Sequence, residues 1–161
     1  MRTAIVYYSL TGNTAYAAEL AAKELGAELV PIAPVKPYPV KGLAMFLHGG
    51  RAAAFGETPK LTSYSFDAEG YDTVIFAFPV WASNIAPPIR TFVKDNKDYL
   101  AGKRIAAIAC FKGGGADKAF IKLKAALGIE ELAAELVLID PKDKPSEENE
   151  KKLQGFCEKL M

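Results

Sequence analysis

Apolar residues in this chain fall into short continuous runs separated by helical stripes. The runs Ala4–Ser9, Leu29–Ile32, Thr73–Phe78, Arg104–Cys110 and Leu136–Ile139 are rich in Val, Ile and Phe. They lack the in–out alternation of a half-exposed sheet, which is the mark of parallel strands covered on both faces. Between them, apolar residues repeat at helical spacing. Ala18, Ala21, Ala22 and Leu25 form one stripe, and Ile85, Ile89, Phe92 and Val93 a second. Ala116, Ala119, Phe120, Leu123 and Leu127 form a third, and Leu153, Phe156, Cys157 and Leu160 the last. That last helix is predicted to start near Pro145-Ser146, with Glu147, Glu148 and Glu150 in its first turns, where the helix dipole favours negative charge. Alternating strands and helices with right-handed crossovers predict a three-layer, doubly wound α/β fold around a five-stranded parallel sheet.

The 161 residues carry no boundary, repeat or low-complexity tract, so the reading is a single domain over residues 1–161. The longest apolar runs are too short to span a bilayer. Met1-Arg2-Thr3 leads directly into the first strand, leaving no room for a signal peptide, and the expectation is a cytoplasmic protein. A net charge of +1, with basic residues spread along the chain, predicts no nucleic-acid or membrane partner. Cys110 and Cys157 have neither metal nor redox spacing and read as buried structural thiols, so no metal site is expected.

The chemistry concentrates in loops. Ser9-Leu10-Thr11-Gly12-Asn13-Thr14 follows the first strand and opens a helix-like segment, Ala15 to Leu25. A helix start offers unpaired N–H groups and the positive end of a dipole, the hydroxyls add donors, and Gly12 permits a tight turn. The six residues include no Lys or Arg, so a phosphate here is expected to be held by neutral dipoles. They match neither G-x-x-x-x-G-K-[ST] nor G-x-G-x-x-G. A well-capped strand-to-helix turn is the other reading of these residues.

This loop resembles the FMN-phosphate loop of the flavodoxin family, [ST]-x-T-G-x-T, and lies in the family's position. The resemblance extends to Pro79-Val80-Trp81-Ala82-Ser83-Asn84, similar to the isoalloxazine loop with its P-x-W motif, and to the Pro87-Pro88…Phe92 pattern after it. It implies the strand order 2-1-3-4-5 and a ligand crevice at the carboxyl ends of strands one and three. It also implies non-covalent FMN, with Trp81 as a flat wall for the ring and Ser83 and Asn84 presenting backbone groups to the ring's N5 and O4 edge. Asn84 is expected to take the left-handed geometry that eases a peptide reorientation there, or else to cap a helix beginning near Ile85. Phe111-Lys112-Gly113-Gly114-Gly115 is similar in place and composition to the family loop at the ring's pyrimidine edge. Lys112, if it faces the flavin, favours the reduced, anionic form.

The segment from Pro34 to Leu61 is unusual for a short flavodoxin. It reads as an extended stretch, Val35 to Val40, followed by a broken helix from Leu43 to Phe55 that could form a partial lid. His48, the only histidine, is then either a proton donor over the flavin or a surface residue. The resemblance leaves two functions open. One is an electron carrier serving a redox partner protein. The other is a NAD(P)H-dependent FMN or quinone reductase serving a small-molecule electron acceptor. Neither needs a catalytic nucleophile, and both suit a monomer or homodimer. Carriers of this family are typically acidic, and this chain is not. A response-regulator-like role is not expected, since Tyr8-Ser9 and Phe78-Pro79 stand where its acidic residues are needed.

Overall fold

The computed structural model describes the whole chain, Met1–Met161. Strands β1 (Thr3–Tyr7), β2 (Glu28–Pro31), β3 (Thr73–Pro79), β4 (Arg104–Phe111) and β5 (Glu135–Ile139) form one sheet in the order β2-β1-β3-β4-β5. All four pairings are parallel. The register sets Ile5 beside Ile75 and Phe76 beside Ala107. Helices α1 (Asn13–Leu25), α2 (Gly42–Ala54), α3 (Pro87–Leu100), α4 (Ala116–Leu127) and α5 (Glu147–Glu158) complete the fold.

Successive residues of the central strands feed two cores. Val74, Phe76 and Phe78 pack with Ile89 and Phe92 of α3 and with Phe120 and Leu123 of α4. Ile75, Ala77 and Ile108 meet Ala17, Ala18 and Ala21 of α1 and Phe156 and Cys157 of α5. Removing both faces of the sheet from water is the main stabilising term, at about 25 cal/mol per Å² of apolar surface. The alanines of α1 let that helix lie close to the sheet, which brings its N-terminus to the end of β1.

The strand ends shift by one or two residues from the sequence reading, and three helical segments differ from it in more telling ways. Helix α1 starts at Asn13 rather than Ala15, because Gly12 turns the chain at φ 99°. Helix α3 starts at Pro87 rather than Ile85; Ala86, preceding a proline, is held extended at φ −62°, ψ 138°. The Leu43–Phe55 segment is one continuous helix, not a broken one. It lies over the β3–α3 loop instead of sharing a broad face with the sheet. The Val35–Val40 stretch that precedes it forms no strand, and only the Pro34–Leu61 bridge ties its base.

Candidate functional site

At the carboxyl end of β1 the chain forms a shallow nest of amides. Ser9 Oγ accepts the Gly12 N–H at 3.2 Å, closing the turn. The N–H groups of Leu10, Thr11, Asn13, Thr14 and Ala15 reach no protein acceptor. Helix α1 has no acidic side chain of its own in its first turn, and the one carboxylate bonded to its first residue is that of Asp143, from the loop after β5. Thr14 is buried and Thr11 exposed, placing one hydroxyl at the floor and one at the rim.

The nest opens into a cleft of about 250 Å³. Of the residues expected there, Ser9, Leu10, Thr11, Asn13, Thr14, Pro79, Val80, Trp81, Ala82, Phe111, Lys112, Gly113 and Gly114 line it. Gly12, Ser83, Asn84 and Gly115 do not, and each has a structural task instead. Met45, Phe46 and Gly50 of α2, Cys110 of β4 and Asp140 after β5 complete the lining.

The β3–α3 loop contains a tight reversal. Trp81 and Asn84 exchange both backbone bonds, at 3.2 and 2.9 Å, and the residues between them, Ala82 and Ser83, have φ of 48° and 55°. Two consecutive left-handed residues inside such a bond pair make a type I′ turn, the geometry that usually recruits Asn-Gly. Left-handed backbone therefore falls on Ala82 and Ser83, not on Asn84 as the sequence suggests. Asn84 is buried, and its backbone is already paired with Trp81. Its carboxamide is a junction. Nδ2 donates to Ala53 O at the end of α2 at 2.8 Å, while Oδ1 accepts from Ile85 N and from Arg90, both at 2.9 Å. It therefore caps no helix and presents no backbone group to the cleft. Ser83 packs into Gly115 of the β4–α4 loop, where a Cβ would stand 2.9 Å from the Ser83 Cα. Gly115 also sits at φ +96°, so both space and backbone demand glycine there.

Trp81 is half-buried. Tyr8 and Tyr38 meet it edge-on at centroid distances of 5.7 and 5.3 Å, and Gly49 of α2 covers part of one face. Burial, with a smaller contribution from Tyr38, pushes the Tyr8 phenol well above its ordinary range, so it remains a neutral part of this cluster.

The opposite wall is open. Lys112, Gly113 and Gly114 are exposed, and a Cβ built on either glycine would meet nothing within 4 Å, leaving open space on that side for a ligand. Beneath them Cys110 is buried, and that burial pushes its thiol up to about 12. Asp140, left-handed at φ 39° and only 6% exposed, brings a carboxylate to the cleft, with Lys144 Nζ 3.8 Å away.

The β5–α5 loop is tied to the nest by Asn13. Its Oδ1 accepts from the backbone of Lys142 at 2.9 Å and of Asp143 at 3.2 Å, and its Nδ2 donates to Asp143 Oδ2 at 2.9 Å. Asn13 thus has its side chain committed and only its N–H free. Sequence reading missed Asp140 and Lys142 because no local signal links them to a loop so far away in the chain. Met45 and Phe46 carried a weak signal, an apolar pair on a predicted lid.

His48 is exposed and faces Tyr38, Arg51 and Glu57 on the far side of α2, so it does not reach the cleft. No group of three or more His, Cys, Asp or Glu side chains is arranged to hold a metal, and no helix is long and apolar enough to cross a membrane.

Several solved structures share this architecture. A flavoprotein from Lactobacillus acidophilus, crystallised in complex with FMN, is 20% identical, with a TM-score of 0.73 over 88% of this chain and 95% of its own. A Bacteroides eggerthii protein described as a flavoprotein is 23% identical, with a TM-score of 0.75 over 98% and 96% of the two chains. The two-electron-reduced flavodoxin of Megasphaera elsdenii is 16% identical, with a TM-score of 0.61 over 99% and 100%. No curated protein matches the sequence significantly. The flavodoxin family model matches residues 2–138, from β1 into β5 and through the loops after β1, β3 and β4, and the chain belongs to that family.

Proposed function

We propose that the chain holds FMN non-covalently in this cleft and transfers electrons through it. The observation that carries the reading is the set of unpaired amides of Leu10, Thr11, Asn13, Thr14 and Ala15, opening into a cleft flanked by Trp81 and the Gly113-Gly114 backbone. Those amides suit the phosphate, with the Thr11 and Thr14 hydroxyls beside them. The indole edge and the glycine loop suit the two sides of a flat ring. When bound, the flavin supplies the redox chemistry; the protein binds it, orients it and sets its potential. Family membership and the FMN-bound relative from Lactobacillus acidophilus support the same reading.

The electron carrier is the leading form of this function. One observation favours the reductase: Met45 and Phe46 of α2 add an apolar wall beside Trp81, giving a small acceptor a surface beyond the three loops. Anaerobic reductive titration of the FMN-loaded protein, with and without NADPH, separates the two. A carrier accumulates one-electron-reduced flavin and ignores NADPH. Rapid bleaching by NADPH with little radical assigns the reductase.

A further inference from the structure

We propose that Lys142, on the loop between β5 and α5, is the cation of the phosphate cradle, with its ammonium lying over the Gly12 turn to pair with the terminal phosphate of the flavin nucleotide. This rests on the FMN reading and adds to it a charged residue that the loop Ser9–Thr14 does not contain.

The placement is specific. A Cβ built at Gly12 would stand 2.9 Å from Lys142 Nζ, 3.5 Å from Cδ and 3.8 Å from Cε. The outer carbons of the side chain therefore run across the glycine, and the ammonium ends above the turn. A side chain at Gly12 would occupy that path.

Asn13 imposes the position. Its buried carboxamide accepts the Lys142 and Asp143 N–H groups and donates to the Asp143 carboxylate. The lysine backbone is thereby fixed to the first residue of α1, so little backbone freedom is lost when the ammonium engages a ligand.

The local charges leave Lys142 unclaimed. Asp143 is committed to Asn13, and Asp140 has Lys144 as its nearest cation at 3.8 Å. Lys142 forms no ion pair with any carboxylate of the chain. Asp140 also supplies a need for it. A phosphate dianion entering a cleft lined by a buried carboxylate meets repulsion that neutral amides offset only in part, and an ammonium over the same turn reduces it. Lys112, the lysine that lines the cleft, lies on the exposed loop after β4.

The test is equilibrium titration of the apoprotein with FMN and with riboflavin, which lacks the phosphate, at low and high salt. The wild type should prefer FMN. Lys142→Gln should weaken FMN by about tenfold at low salt, the scale of one partly exposed charge-assisted hydrogen bond, and leave riboflavin unchanged. It should also flatten the fall of FMN affinity with salt, and Lys142→Arg should restore most of both effects. Unchanged FMN affinity in Lys142→Gln, or equal losses for both flavins, overturns the role of Lys142 while the wild-type preference keeps the phosphate cradle. Equal wild-type affinities for FMN and riboflavin overturn the cradle itself and this inference with it.

Discussion

Gly49 of α2 lies on one face of the Trp81 indole. A Cβ built there would stand 3.2 Å from Cε3, 3.3 Å from Cζ3 and 3.4 Å from Cδ2, nearly equidistant from three ring atoms. Glycine is a poor helix residue, yet here it lets the helix and the ring approach. Gly49→Ala gains about 1 kcal/mol in helix propensity and loses a similar amount to the contact, so it should be close to neutral. Gly49→Leu should cost about 1–3 kcal/mol by overpacking. Urea denaturation midpoints of the two variants check the contrast; an equally stable Gly49→Leu would show that α2 is loosely held.

With Tyr8 and Tyr38 edge-on and Gly49 against one face, the Trp81 indole is held in place with part of it turned to the cleft. FMN should therefore quench Trp81, the chain's single tryptophan, strongly on binding. Trp81→Phe should lower FMN affinity by on the order of 1 kcal/mol, the scale of aromatic packing. Fluorescence titration measures both, and an unquenched tryptophan argues against ring contact.

The type I′ turn at Ala82-Ser83 is built from residues that resist left-handed backbone, each at a cost of about 1 kcal/mol. Ala82→Asn should stabilise the protein by several tenths of a kcal/mol, since asparagine tolerates φ near 50°. Gly115→Ala should destabilise it by more than about 2 kcal/mol, because the backbone strains and the added carbon meets Ser83. Thermal melting of the apoproteins distinguishes these opposite signs.

Lys112 lines the same cleft as Trp81, from an exposed loop. Lys112→Glu should lower the potential of the second electron by on the order of tens of millivolts, an effect that shrinks with added salt. Potentiometry on the FMN-loaded pair reads this directly. An unchanged potential places the lysine in solvent, away from the ring.

Burial raises the pKa of both thiols above the ordinary thiol range, Cys110 to about 12 and Cys157 to about 11. The folded state thus favours the protonated thiol. Below the ordinary thiol range that preference stabilises the fold in full, and it is lost as pH rises from about 9 through 11 and 12. Both cysteines should resist alkylation at pH 8 in the native protein and react once it is unfolded. Modification at comparable rates in the two states would contradict their burial.

The sheet was legible because strands such as Thr73–Phe78 are apolar on both faces, and that composition leaves few alternatives. The nest at Ser9–Thr14 was legible because its whole geometry lies in one short stretch. The continuity of α2 was not. His48-Gly49-Gly50 looks like a helix break until Trp81 is seen to require the absence of a side chain at Gly49, a case of packing overriding propensity. Asn84 looked suited to a left-handed turn, but burial gives its amide three partners that only the folded chain assembles. The placement of Lys142 follows from Asn13, whose hydrogen bonds to Lys142 and Asp143 span 129 and 130 residues of sequence.

The Asn84 junction also divides the molecule in time. Among hydrogen bonds reaching α2 from elsewhere in the chain, the one to Ala53 O is the single long-range tie, and Leu43, Phe46 and Leu47 on that helix lie open to water. Local opening is easiest where buried contact is sparse. Amide protons of α2 should therefore exchange far sooner than those of β3 and β4, and the Trp81–Asn84 turn should open along with the helix it holds. The cover of the cleft is thus held to its bed by one long-range hydrogen bond, at Asn84, and by the packing of Gly49 on Trp81.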